Sequence, residues 1–318
     1  MWGYCLILLS SAFFCIQNVL VRVLFTPQTV VGFGEVGGYV PPTLSHSFLL
    51  LFLRMLLAVP LMAIFSVGVY PKIWADLRQL AHPNHRLSLL HALGGGALMF
   101  AYLAFLYLSI GLVTTGVAMT LFFTFPIFTA LFAWRFFGDR PSQFQWVIIG
   151  LVILGSTLTI PRTSLSLNVD GNAAALLGIL FGFIAGIAYA LYTINAQKSF
   201  EKIHPVPFTW ISFATALVLS GGCLWLGNSP QSAIDWAPLW IGSLISGLVT
   251  FAGHVLYNSG IRLIGATAAA MIGTINPALT VVLAWIAIQE SLTPLQTTGV
   301  VIVTLSVAAL SRHKTPSP

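Results

Sequence analysis

Ten long apolar stretches dominate this chain and dictate what it can fold into. They cover residues 3–24, 46–69, 88–109, 112–136, 144–160, 173–197, 206–227, 237–259, 265–288 and 294–311. Each is about 17–25 residues long, the length at which a helix crosses the hydrocarbon core of a bilayer. The runs are uniformly apolar and do not alternate, which excludes strands of a membrane barrel. Charged residues make up only 6% of the chain and hydrophobic ones 58%, whereas a soluble domain carries about 25% charged residues. So few charges could not cover a soluble surface. The expected fold is an all-α polytopic membrane protein of ten transmembrane helices, with the lipid bilayer as its first partner.

The basic residues sort across these ten segments. With both termini in the cytoplasm, the inner loops and tail receive Lys72, Arg78, Arg86, Arg135, Arg140, Lys198, Lys202, Arg262, Arg312 and Lys314, and the outer loops receive only Arg162. Such asymmetry is the positive-inside signature. It predicts a multi-pass protein of the cell membrane and explains the net charge of +6 without nucleic acid. The start, MWGYCLILL, lacks a basic n-region and reads as a retained first helix. Cys5, Cys15 and Cys223 all sit in apolar runs with no metal spacing and read as packing residues.

An internal repeat sets the domain organisation. PIFTALFAWRFFGDRPSQFQ (126–145) aligns without a gap to PALTVVLAWIAIQESLTPLQ (277–296). Pro126 matches Pro277, Thr129 matches Thr280, Trp134 matches Trp285 and Asp139 matches Glu290. Ser142-x-x-Gln145 and Thr293-x-x-Gln296 are capping boxes at equivalent points, opening segments 5 and 10. The unit is five helices, an odd number, so its two copies enter the membrane in opposite directions. That is the inverted repeat of many secondary transporters. The expected layout is a first repeat over 1–160, an external linker over 161–172, a second repeat over 173–311 and a cytoplasmic tail over 312–318.

On these residues the chain resembles the EamA-type permeases of the drug/metabolite transporter superfamily. FLRMLLAVPLM (52–62), FPIFTALFAWRFFGD (125–139), AYALYT (188–193) and NPALTVVLAW followed by Gln289-Glu290 are similar to that family's patterns, in the family's order. Asp139 stands where the family usually has Glu, and Gln289 where it usually has Gly. The resemblance implies ten helices in two five-helix halves and transport of small metabolites, often outward, by alternating access. It fixes no substrate, direction or coupling ion.

Several polar residues fall inside the spans. Arg54 lies near the middle of segment 2, where a charge needs a partner or a wet cavity. It reads either as a cation facing the substrate pathway or as an interior tie between carbonyls. The remaining pathway candidates are Gln17, Asn18, Tyr189, Tyr192, His254, Asn258 and Asn276, since polar groups in hydrocarbon face inward. No Asp or Glu falls inside a span, which argues against a carboxylate proton wire and leaves His254 as the titratable alternative. Pro126 and Pro277 are expected to kink their helices, and Trp134 and Trp285 to anchor at interfaces. Gly178, Gly182 and Gly186 form a small-residue stripe suited to close packing within a monomer, or less simply in a homodimer.

The sequence carries no H-E-x-x-H, G-x-S-x-G, metal cluster or Walker A pattern, so neither an enzyme nor a cofactor or metal site is expected. A channel, a non-transporting membrane protein and a membrane-embedded enzyme are the alternatives to a carrier. VGFGEVGGYVPP (31–42) contains G-x-G-x-x-G, but it follows an apolar span and runs into two prolines, not into the helix a dinucleotide needs. Nucleotide binding is not expected. Gly32, Gly34, Glu35 and Gly37 belong instead to a long external loop, about 25–45, expected to cap or gate the outer opening.

Overall fold

The computed structural model describes residues 2–25, 27–32, 34–41, 44–80, 82, 85–112, 121–138, 140–159, 173–226, 234–273, 275–288 and 293–312. Its helices are α1 (Trp2–Phe25), α2 (Leu44–Val69), α3 (Ile73–Leu80), α4 (Arg86–Leu112), α5 (Phe125–Phe137), α6 (Gln143–Thr159), α7 (Ala173–Ser199), α8 (Pro205–Leu226), α9 (Trp236–Ile264), α10 (Ala266–Gly273), α11 (Asn276–Ile288) and α12 (Pro294–Arg312). Among them α1, α2, α4, α7, α8 and α9 are long and apolar enough to cross a membrane. The expected linker 161–172, the tail beyond Arg312, and Asp139 and Glu290 of the repeat lie outside the described residues.

Two features depart from ten continuous helices. Segment 9 is two helices, α10 and α11, and the described part of segment 4 restarts at Phe125 after a turn at 123–124. The prolines explain both. Pro126 and Pro277 were expected to kink the middle of a span, but each sits in the first turn of a new helix. A proline lacks the N–H that a continuing helix would use and is favoured in a first turn, although Pro60 lies inside the unbroken α2. The chain before each break tightens to three-residue bonds, Thr124 N donating to Leu121 O and Ile275 N to Ile272 O, both near 3 Å. α10 starts directly after Gly265, at φ 81°, and the Gln197 side-chain oxygen of α7 accepts from the Ala266 N–H at its first turn.

The capping box at Ser142 forms as its spacing requires. Gln145 N donates to Ser142 Oγ at 3.2 Å, and Ser142 N donates to Gln145 Oε1 at 2.9 Å. The helices pack in exchanged pairs. α1 lies on α9 as α7 lies on α4; α2 meets α9 as α8 meets α4; α1 meets α11 as α7 meets α5; α2 pairs with α8, and α6 with α12. Thr129 and Thr280, matched in the repeat, take matched places: Thr129 lies 3.5 Å from Thr193 of α7, and Thr280 accepts from Asn18 of α1 at 3.3 Å. The glycine stripe of α7 packs inside this fold, Gly182 against Leu121 and Ser109, Gly186 against the Phe122 carbonyl.

The long loop between α1 and α2 holds a β-hairpin, the only strands among the described residues. β1 (Pro27–Val30) pairs antiparallel with β2 (Gly34–Gly37), and Gly32, Gly34 and Gly37 all take positive φ, a conformation that side chains with a Cβ resist. Backbone bonds fasten the hairpin and the strand end that follows it: Val31 N to Ala287 O of α11, Gly38 N to Val23 O and Tyr39 N to Leu24 O of α1, each 3.0 Å. Val30 packs among Val19, Val23, Leu283 and Ala287.

Two glycines of α4 test the packing. A Cβ on Gly96 would lie 2.4 Å from Thr215 Cβ and 3.0 Å from the Ser212 backbone of α8, whereas a Cβ on Gly94 meets nothing within 4 Å. Gly96→Ala is expected to lower the thermal midpoint of the purified protein in detergent, as overpacking by about 1–3 kcal/mol does. Gly94→Ala should hold or raise it, by the up to about 1 kcal/mol that alanine gains in a helix.

Candidate functional site

Helix α9 carries a polar residue every fourth position: Ser246, Thr250, His254 and Asn258. This spacing puts all four on one face of a helix, and all four are buried. The stripe organises the polar interior. At Gly247 the α2 backbone comes close, so that an added Cβ would sit 3.2 Å from Ala58 N and 3.3 Å from Arg54 O. Arg54 is thereby set beside the Ser246 end of the stripe.

Gln17 of α1 joins the two. With its amide oxygen turned toward α2, Gln17 accepts from Arg54 Nη1 at 3.1 Å and from Ser246 Oγ at 2.7 Å, and its nitrogen donates to Thr250 Oγ1 at 3.2 Å. Arg54 is 5% exposed. Its Cζ lies 6.0 Å from the Tyr107 ring centroid of α4, in reach of a cation–π interaction. Nε and Nη2 have no partner among the described residues, and no described carboxylate pairs with the guanidinium. A buried cation held by one neutral amide and a ring is undercompensated. The arrangement suits a bidentate anion such as a carboxylate.

A second polar group lies further along α9. Asn258 Nδ2 donates to Thr209 Oγ1 of α8 at 2.8 Å and to Tyr192 Oη of α7 at 2.9 Å. Between the two groups stands His254, with its ring enclosed by Phe14 at 5.0 Å, Phe213 at 5.4 Å and Tyr192 at 6.4 Å, and with Nδ1 unpartnered. Tyr189 sits in an aromatic cluster, 4.9 Å from Tyr102 and 4.7 Å from Phe125.

The structure thus joins Gln17 to Arg54, and Tyr192 to Asn258, with His254 between and Tyr189 6.2 Å from Tyr192. It sets Asn18 and Asn276 apart from them. Those two fasten α1 to α11, Asn18 through Thr280 and Asn276 through its carbonyl, which accepts from Cys15 Sγ at 3.3 Å. Glu35 and its glycines lie in the hairpin, and Trp134 and Trp285 are half-exposed. Ser246, Thr250, Thr209 and Tyr107 escaped the sequence reading. The four-residue spacing of the α9 stripe was the signal that could have found the first two.

Asn258 is fully buried. Asn258→Leu is expected to leave two hydroxyls short of a partner and to cost about 1–3 kcal/mol of stability, read as a lower thermal midpoint than that of Asn258→Gln.

Comparison with known proteins agrees with this architecture. Over 98% of its length, and 94% of the relative's, the chain is 53% identical to the uncharacterized transporter sll1319 of Synechocystis. It is 29% identical to the threonine/homoserine exporter RhtA of Escherichia coli K12 across 67% of both chains. A solved crystal structure only 16% identical shares the fold, with a TM-score of 0.70 over 98% of this chain and 95% of that one. The model of the EamA-like transporter family matches residues 1–160 and 176–312, and with it the sequence's apolar helices, its order of motifs and its relatives converge: the chain is a multi-pass membrane protein that belongs to the EamA-like transporter family.

Proposed function

We propose that this chain is a secondary transporter that exports a small carboxylate-bearing metabolite, of the amino-acid or organic-acid class, across the cell membrane. The observation that carries the reading is Arg54: a buried guanidinium with two unpartnered nitrogens and no described carboxylate. A ligand carboxylate supplies the missing charge and both missing acceptors at once. The exporter named for threonine and homoserine among the relatives makes those two amino acids the first substrates to try.

Two inverted five-helix halves, 1–160 and 173–311, rock around this site. The exchanged helix contacts, the matched threonines and the matched proline breaks support this reading. The sorted basic residues support cytoplasmic termini. The hairpin over α1 and α11 acts as the outer cap. In a proton-coupled cycle the proton is carried by His254, the imidazole on the same stripe as Ser246 and Thr250.

Counterflow of labelled threonine, homoserine and simple carboxylates in proteoliposomes tests the assignment. Arg54→Gln should cut saturable exchange by about 10-fold or more, the worth of a charge-assisted hydrogen bond, and Arg54→Lys should recover only part of it because the fork is lost. Unchanged transport of every anionic substrate in Arg54→Gln removes Arg54 from the site. His254→Ala should abolish accumulation driven by a pH gradient while leaving counterflow. Deletion of 31–39 should alter transport; an unaltered rate makes the hairpin a passive linker.

A further inference from the structure

The face that carries Lys72, Arg78, Lys198, Lys202 and Arg262 holds a second cluster, just beyond the end of α2 and unused by the reading above. Tyr70, between α2 and α3, stacks on His204, just ahead of α8. Their ring centroids are 3.9 Å apart and their planes 2° from parallel. Tyr70 Oη donates to Asp76 Oδ2 of α3 at 2.7 Å, and Val206 N donates to His204 Nδ1 at 3.3 Å. One residue into α3, Trp74 meets Trp210 of α8 edge to face at 5.9 Å.

We propose that the Tyr70–His204 stack, oriented by Asp76, is a latch that ties the α2–α3 corner to the start of α8 and parts when this face opens. The proposal rests on the transporter reading, since a carrier must open each face in turn. The chemistry suits a reversible joint. The stack presses two flat rings together without interdigitation, and its residues are half-buried, so water can take the place of each contact when it breaks. The two sides come from different halves of the chain, 70–76 and 204–210. Tyr70 and His204 meet beyond the end of α2 and ahead of the start of α8, so the joint can part at one end of the α2–α8 contact while the rest of that contact persists.

Protonation bears on the same joint. The charged or titratable groups facing His204 are Tyr70 and Asp76 from the α2–α3 corner and Arg262 from α9. Burial and then Arg262 hold the His204 imidazole below its ordinary value, with Asp76 working the other way. The Tyr70 phenol is raised, first by its hydrogen bond to Asp76, and stays neutral. The closed latch therefore prefers neutral His204, while a released His204 returns toward its ordinary value near 6.5. Acidification through that range favours release, and neutral pH favours closure.

Spin labels at Arg78→Cys of α3 and Lys198→Cys of α7, with Cys5, Cys15 and Cys223 replaced by Ala, report the joint in the full chain in lipid nanodiscs. Pulsed distance measurements should show one short distance at about pH 7.5 and a longer population that grows about twofold or more at about pH 5.5. His204→Ala and Asp76→Asn should each enlarge the longer population by a similar factor at neutral pH. His204→Phe keeps the flat ring, so it should hold the short distance at both pH values. A distribution unchanged by His204→Ala and Asp76→Asn overturns the proposal, as does His204→Phe opening as far as His204→Ala. The measurement needs no substrate, so failure of the latch and failure of the Arg54 assignment are read separately.

Discussion

The crossing of α2 and α9 at Gly247 is the constraint on which the interior depends. Because an added Cβ there would press on the α2 backbone at Arg54 and Ala58, the two helices can approach until Arg54 stands beside Ser246. The guanidinium then meets a face that is already polar, supplied by α9 at four-residue spacing and by Gln17 from α1. A charge in hydrocarbon costs several kcal/mol unless it finds partners. Here the partners are neutral and incomplete, which separates this arrangement from a structural ion pair. The site is built from three rigid helices, the kind of support that holds a binding geometry within a few tenths of an ångström.

The backbone breaks serve the same interior. A bilayer offers no water to an unpaired carbonyl, so irregular backbone survives only where protein surrounds it. At the break before α11, Cys15 of α1 donates to the Asn276 carbonyl in the first turn, and the turn before α5 lies against Gly186, where an added Cβ would sit 3.0 Å from the Phe122 oxygen. Small residues on α7 are therefore explained by what approaches them: peptide oxygens of Leu121 and Phe122 at Gly186, and the side chains of Leu121 and Ser109 at Gly182. Cavities and kinks need not be invoked for them.

Much of this was legible in the sequence. Length and hydropathy marked the six helices that are long and apolar enough to cross a membrane, α1, α2, α4, α7, α8 and α9, and spacing marked the Ser142 capping box. The placement of Arg54 among polar partners followed from the cost of burying charge. What the sequence hid has physical reasons. Periodicity counts an apolar run as one helix, and only the absent N–H of Pro126 and Pro277 hints that the run divides; whether such a proline kinks or restarts the helix is decided by neighbours. Ser246 and Thr250 are mild residues that a hydropathy reading passes over, since a hydroxyl can bond back to its own helix. The hairpin was expected as a loop because its strands are four residues long and rich in glycine, below what β-propensity can signal. The Tyr70–His204 stack joins residues more than a hundred positions apart, and no local pattern announces it.

The hairpin also completes something that α1 alone leaves open. A helix ends with carbonyls that have no partner within it, and those of Val23 and Leu24 are taken by the N–H groups of Gly38 and Tyr39. The same excursion gives the Val31 N–H to the last turn of α11. Two helix ends from opposite ends of the chain thus share one main-chain fastening, independent of side-chain identity. Substitutions in this loop can drift widely while the fastening persists, provided the glycines keep their left-handed turns. Sideways displacement of this end of α1 is carried to α11 through peptide groups, which couples the two helices at that end.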